Sequence, residues 1–292
     1  EEEQEVIKRC TLEVLSFDSS HYKALDGSEI EVRVHLPPRV GSTGEGPLLK
    51  KGIIYFHGGA FIFGNAVDFD YQASLKAVTC DSVVFNVDYR SAPEAKAPKG
   101  ILDCYAAVHF ICEELLARFN VDQRRLCLNG ESSGGYLAVG TAMELAKNGE
   151  ADMIKLLVPD VPAISAHWIT PDDGSPTHWS RNEVMKASGA GGHLETVKML
   201  CNDWKQKFSD LDPYVFPGEM SDEVLKKLPA CVILTNEHCF LRKDAELFAA
   251  RLLAHDKLLD YCVRPGISHY SDIAAVYSDK SSIFSQVLET YL

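Results

Sequence analysis

Short, nearly all-apolar runs recur along this chain, with stretches of helical character between them. Ile53–Phe56, Val83–Val87, Leu126–Asn129, Lys155–Val158, Ala230–Thr235 and Leu259–Arg264 read as strands buried on both faces, as in a parallel sheet. Ile101–Phe119 carries apolar residues at helical spacing, and Gly135–Lys147, Lys243–His255 and Ser282–Leu292 also read as helices. Ahead of this series, Glu13–Phe17 and Glu29–Leu36 read as strands separated by an Asp26-Gly27 turn, and residues 37–47 as a loop rich in Pro and Gly. Alternation of strand and helix predicts an α/β fold. The right-handed crossover rule makes it a doubly wound, mostly parallel twisted sheet flanked by helices.

Between Val158 and Ala230 the alternation stops. This stretch holds Trp168, Trp179 and Trp204, with Pro171, Pro176 and the glycines from Gly189 to Gly192. It reads as a helical cap, residues 160–228, inserted into a single domain spanning residues 1–292. The cap is expected over the carboxyl ends of the strands, where α/β sheets bind ligands.

Composition narrows the function. The 292 residues are 46% hydrophobic and 24% charged, an ordinary globular balance. A formal net charge of −13 argues against a nucleic-acid partner and against anionic membranes. No apolar run reaches the ~18 residues of a membrane span. Glu1-Glu2-Glu3-Gln4-Glu5 is not a signal peptide, and the missing initial Met leaves room for a leader or anchor removed ahead of it. The nine cysteines are scattered and form no C-x-x-C pair, so neither zinc nor any other metal or cofactor is called for. Several lie in apolar patterns as small buried hydrophobes, which fits a reducing, cytoplasmic compartment. A homodimer stays open.

The chemistry is concentrated in three places. Gly130-Glu131-Ser132-Ser133-Gly134 follows the Leu126–Asn129 strand and precedes the next helix. A G-x-S-x-G turn from strand to helix lifts the central hydroxyl, here Ser132, above the sheet and points free helix amides at the space over it. His57-Gly58-Gly59 ends the Ile53–Phe56 strand, and its glycines let backbone N–H groups approach a substrate. Gly58, Gly59 and Ser133 would then form an oxyanion hole for acyl transfer, where losing one donor costs about 3 kcal/mol of barrier. His269, in the loop between the last strand and the last helix, is the candidate base for Ser132. His21, His35, His109, His193 and His255 lie in no such loop and read as surface or satisfied core groups. His167 and His178 fall in the cap.

His57-Gly58-Gly59, Asp88-Tyr89-Arg90-Ser91-Ala92-Pro93-Glu94 and Gly130-Glu131-Ser132-Ser133-Gly134-Gly135 together resemble the hormone-sensitive-lipase-like carboxylesterases of the α/β-hydrolase superfamily, relatives of arylacetamide deacetylases and plant carboxylesterases. The resemblance implies an α/β-hydrolase fold, a catalytic order of Ser, acid, His, and a structural role for Tyr89–Glu94 in bracing the loop beside the oxyanion hole.

Two departures stand out. The family's acid lies in a Glu-x-Asp-Pro-Leu-Arg-Asp motif, and the matching stretch here is Glu237-His238-Cys239-Phe240-Leu241-Arg242-Lys243-Asp244, with Cys239 in the acid's place. A thiol is a weak acceptor for an imidazole N–H. Asp160, at the end of the Lys155–Val158 strand, is the preferred replacement; Asp244 or Glu237 reaching His269, or a Cys239 ionised beside it, are the others. Second, the family's N-terminal cap helices have only residues 1–10 to match them, so the pocket is expected to be open on that side or the chain to extend further.

The reading is serine-dependent hydrolysis of small carboxylic esters with apolar or aromatic, short-to-medium acyl groups, suggested by the tryptophans, Phe61 and Phe63. A non-hydrolytic lyase or cyclase on the same scaffold is the alternative, motivated by Cys239. A small-molecule receptor ranks last, because receptors resembling this family lack the histidine.

Overall fold

The apolar runs form the middle of one eight-stranded sheet in the computed structural model, which describes residues 2–22, 26–38, 49–166, 198–269 and 282–292. The strands are β1 (Thr11–Asp18), β2 (Glu29–Leu36), β3 (Lys50–Phe56), β4 (Ser82–Asp88), β5 (Val121–Glu131), β6 (Leu156–Asp160), β7 (Ala230–His238) and β8 (Leu258–Ser268). Their spatial order is β1-β2-β4-β3-β5-β6-β7-β8. β1 and β4 flank β2 antiparallel, and every pairing from β4 across to β8 is parallel.

Along β3, Ile54 and Phe56 face one hydrophobic layer and Ile53 and Tyr55 the other, because successive strand side chains alternate faces. Both layers are covered. The described helices are α1 (Glu2–Arg9), α2 (Asp70–Cys80), α3 (Lys99–Phe110), α4 (Leu116–Arg118), α5 (Ser133–Asn148), α6 (Trp204–Ser209), α7 (Asp222–Leu225), α8 (Arg242–Leu253) and α9 (Ile283–Tyr291). α3, α5 and α8 contribute to the first layer, and α2 and α9 to the second. That double cover is why the central strands carry no polar face.

The structure departs from the pattern-based elements in several places: α1 has no counterpart among them, β5 begins at Val121 rather than Leu126, and three further points bear on the site. The run Ile101–Phe119 is α3, a π-turn at Ile111–Leu115, and α4, rather than one regular helix. α2 has no clean apolar stripe, because it buries Ser74, Lys76 and Thr79 along with its alanines and Leu75. Each of these polar groups has a partner: Ser74 Oγ lies 2.9 Å from His35 Nδ1, Lys76 pairs with Glu131, and Thr79 donates to the Leu75 carbonyl at 2.8 Å. β8 continues past Pro265 to Ser268 instead of stopping at Arg264. It lies at the end of the strand order, where a proline removes no ladder bond, and the β7–β8 register shifts at Asn236/His238 to accommodate it.

Of the expected cap, residues 167–197, with Trp168, Trp179, His167, His178 and His193, lie outside the described residues. The described remainder holds α6 and α7 and is tied to the core: Leu200 O accepts from Ala97 N–H at 2.7 Å, and Gly218 N–H donates to Ile164 O at 2.7 Å. All nine cysteines are free. Among the described residues, no helix is long and apolar enough to cross a membrane.

Candidate active site

β5 runs out of the sheet at Glu131 and α5 begins at Ser133, which leaves Ser132 alone in the turn at φ 57° and ψ −115°. A non-glycine residue rarely adopts this conformation, and surrounding contacts must hold it. Ser132 N–H donates to Asp160 O at 2.9 Å, and Ser132 O accepts from Tyr136 N–H at 3.1 Å. The flanking glycines are required by crowding. A Cβ on Gly130 would lie 2.3 Å from Gly134 O, and one on Gly134 would lie 2.0 Å from Phe56 O.

The loop after β3 lies against this turn. A Cβ on Gly58 would sit 3.3 Å from Glu131 O and 3.8 Å from Ser132 Cβ. Gly59 has φ 133°, and its carbonyl accepts from Ile62 N–H (3.1 Å) and Phe63 N–H (2.8 Å), closing a tight turn. A Cβ at Gly59 would fall 1.9 Å from Phe63 O. Among the described residues, the amides of Gly58 and Gly59 have no hydrogen-bond acceptor. The Ser133 amide is the first of α5, a position without an intrahelical partner.

His57 is buried behind this loop, stacked between Phe69 and Tyr89 at centroid distances of 4.6 and 4.4 Å. Its Nδ1 lies 2.6 Å from Gly58 O, and burial holds its pKa below the usual histidine value. Tyr89 O–H donates to His57 O at 2.7 Å, and Ala92 N–H donates to Phe61 O at 2.9 Å. The Tyr89–Glu94 segment thus holds the loop of Gly58 and Gly59 at both ends.

His269 follows β8 directly. Its Nε2 lies 3.0 Å from Ser132 Oγ, and its Nδ1 lies 3.1 Å from Cys239 Sγ. Phe240 packs on the imidazole at a centroid distance of 4.6 Å. Leu241 N–H donates to Cys239 Sγ at 3.3 Å, so the turn after β7 offers the side chain at 239 a second donor. Burial pushes the Cys239 thiol far up, which makes it a neutral thiol rather than the thiolate considered as a replacement acid.

The carboxylates proposed as replacements are engaged elsewhere. Asp160 is buried at the end of β6 and forms a two-pronged ion pair with Arg264. Asp244 accepts from Ser165 N–H at 3.2 Å, and Glu237 from Gly266 N–H at 2.7 Å. The structure therefore brings together Ser132, His269 and Cys239 beside the loop of Gly58 and Gly59, while Asp160 is held by Arg264, Asp244 by the Ser165 amide and Glu237 by the Gly266 amide. Arg264 is a partner for Asp160 that was not read from the sequence. The available signal was the one basic residue of a mostly apolar strand, which needs a carboxylate when buried.

A second Ser–His–Asp grouping, Ser74, His35 and Asp70, is a different case. His35 Nδ1 lies 2.9 Å from Ser74 Oγ and Nε2 3.1 Å from Asp70 Oδ1, but Ser74 and His35 are fully buried. Beside Ser133, by contrast, a pocket opens onto Phe61, Tyr89, Tyr136, Leu137 and Leu200.

Residues 53–271 match the family described as alpha/beta hydrolase fold. Human arylacetamide deacetylase-like 2 is 29% identical over 274 residues, covering 77% of this chain and 67% of that protein. The arylesterase of Saccharolobus solfataricus is 25% identical over 229 residues, covering 78% and 68%. These alignments span about two thirds of the relatives' own length. Among solved structures, a hyperthermophilic esterase from Pyrobaculum calidifontis shares the fold at a TM-score of 0.77 and 23% identity over 99% of this chain and 86% of its own. A bacterial heroin esterase does so at 0.75 and 25%, over 98% and 84%.

Proposed function

Because the chain belongs to the α/β-hydrolase fold family, in its hormone-sensitive-lipase-like branch, we propose that it hydrolyses carboxylic esters through an acyl-enzyme on Ser132. The observation that carries this is the 3.0 Å contact between Ser132 Oγ and His269 Nε2 beside the amides of Gly58, Gly59 and Ser133. His269 takes the hydroxyl proton as Ser132 Oγ attacks the ester carbonyl. The amides receive the negative charge that builds on the carbonyl oxygen. The tetrahedral intermediate collapses, the proton passes from His269 to the departing alkoxide, and the acyl group stays on Ser132. Water, deprotonated by the same imidazole, then releases the carboxylic acid. Each step uses only groups of this chain and water, so the proposal requires no metal or cofactor.

Cys239 occupies the orienting position of the third catalytic group. The apolar pocket beside Ser133, with Phe61 packed on Tyr136 at a centroid distance of 5.0 Å, supports acyl groups that are apolar or aromatic and of short to medium length. The relatives named for arylacetamide and arylester substrates point the same way.

A fluorophosphonate probe together with p-nitrophenyl acetate, butyrate and octanoate tests the reading. Ser132 labelling, turnover of the shorter esters, and loss of both in Ser132→Ala are expected. A folded protein that neither labels nor turns over any ester would sink it. The neutral thiol on His269 gives the lyase or cyclase reading its one support; conversion of a metabolite that survives Ser132→Ala would favour it.

A further inference from the structure

We propose that Arg264 and Asn236 are positioning residues that hold His269 in line with Ser132 and take over part of the orienting role that a carboxylate at position 239 would have. The proposal rests on the reading of Ser132 and His269 as the reacting pair. Three buried polar side chains, Asp160, Arg264 and Asn236, form a connected chain. Asp160 engages both terminal nitrogens of the Arg264 guanidinium. Arg264 Nε donates to Asn236 Oδ1 at 2.6 Å. Asn236 Nδ2 donates to the carbonyl of Ser268, the residue immediately before His269, at 2.8 Å. At the other end, the backbone carbonyl of Asp160 accepts the Ser132 amide at 2.9 Å. One residue thus anchors the backbone of the nucleophile and, through two side chains, the backbone of the base.

The polarity of this chain permits one arrangement. A guanidinium only donates, so it fixes Asn236 with Oδ1 toward Arg264 and Nδ2 toward Ser268. A peptide carbonyl only accepts, so the amide cannot flip without placing oxygen against oxygen. The pairing of Asp160 with Arg264 offsets the charge of a guanidinium that is only 5% exposed. Such a set orients its neighbours rigidly only while every member is satisfied. The direct contact on His269 Nδ1 is a thiol, so fixing the imidazole falls more heavily on the backbone that carries it.

The test is a cycle. Asn236→Ala and Asn236→Asp are each made in the native background and with Cys239→Asp, and kcat, KM, phosphonate labelling of Ser132 and Tm are measured. Labelling of Ser132 in the native protein comes first; its absence would fail the hydrolase reading rather than the positioning one. With labelling in hand, Asn236→Ala is expected to lower kcat about tenfold or more, with KM within about threefold, since small misplacements of reacting groups cost up to ~10² in rate. In the Cys239→Asp background the loss should shrink to about threefold or less, because a carboxylate then orients the ring directly. Asn236→Asp keeps the volume and the acceptor for Arg264 but sets an oxygen against Ser268 O, so it should lose activity as Asn236→Ala does. Equal losses in both backgrounds, a loss confined to KM, or a fully active Asn236→Asp would each overturn the proposal. So would failure of both variants to fold, which would make the set a folding determinant only.

Discussion

Cys239 Sγ lies 3.1 Å from His269 Nδ1, on the opposite side of the imidazole from Ser132 Oγ. A carboxylate at that distance could only accept, which fixes the proton on Nδ1 and leaves Nε2 free to take the serine proton. A thiol can also donate. With the S–H on Nδ1, the ring proton moves to Nε2 and faces Ser132, and that tautomer is unproductive. Under the proposed hydrolysis, a neutral thiol would therefore divide the imidazole between a working and an idle form and would stabilise the imidazolium poorly.

Replacing Cys239 with Asp should accordingly raise kcat at least about tenfold, against a ceiling of ~10⁴ set by the cost of losing tautomer control in a serine triad. The Leu241 amide that already donates to Sγ is available to the carboxylate. Cys239→Ser should leave kcat within about threefold of native, because a hydroxyl keeps the same two-way hydrogen bonding. Steady-state ester turnover checks both. A Cys239→Asp no faster than native would remove the tautomer argument.

Gly59→Ala should abolish ester turnover while leaving most of the fold in place. The added Cβ would lie 1.9 Å from Phe63 O at a φ of 133°, so the turn carrying the amides proposed to receive the oxyanion must open. Loss of one such donor costs ~10²–10³ in kcat. Gly149→Ala, at a φ of 75° but with open space around it, should cost stability rather than activity. Comparing kcat with Tm for the two variants separates these effects.

Lys76 is fully buried and pairs with Glu131, which also accepts from Tyr55 O–H at 2.6 Å. Removing one partner strands the other charge, so Lys76→Met should destabilise by about 3–5 kcal/mol. Combining it with Glu131→Gln should recover more than half of that loss, since neither position then leaves a stranded charge. Urea unfolding of the two singles and the double reads the coupling directly.

The buried His57 makes stability fall in acid. Burial keeps its folded pKa below the ordinary ~6.5 of an unfolded histidine. Below about pH 6.5 the unfolded chain takes up a proton that the folded loop refuses, so this contribution is present above that pH and lost as pH falls toward the folded value. Denaturant unfolding from pH 7.5 to 5.5 should show a steeper loss in native protein than in His57→Gln. Equal slopes would remove His57 as the cause.

Much of the site was legible because its requirements are local. Gly130, Ser132, Gly134, Gly58 and Gly59 announce themselves through turns that only those residues tolerate, and the central strands through continuous apolar runs. The less legible parts depend on partners distant in the chain. α2 is hidden in the sequence because Ser74, Lys76 and Thr79 are inside it, satisfied by groups in β2, β5 and its own backbone. Asp160 looks from sequence like a spare catalytic acid. Its actual partner, Arg264, lies 104 positions away and could be recognised only by asking what a strand arginine does with its charge. Pro265 likewise suggests a strand end, whereas the outermost place of β8 in the described sheet lets the strand run on to Ser268, the residue before His269.

The sealed grouping of Ser74, His35 and Asp70 gives the molecule its own blank. It offers a serine within hydrogen-bond reach of an imidazole whose other nitrogen lies 3.1 Å from a carboxylate, where the histidine of Ser132 has the Cys239 thiol. A reagent that discriminates by side-chain geometry alone would rank Ser74 first, and one that discriminates by access would react only at Ser132. Mapping the two serines in a single labelled digest therefore measures how much of a serine's reactivity is granted by its hydrogen bonds and how much by the opening above it.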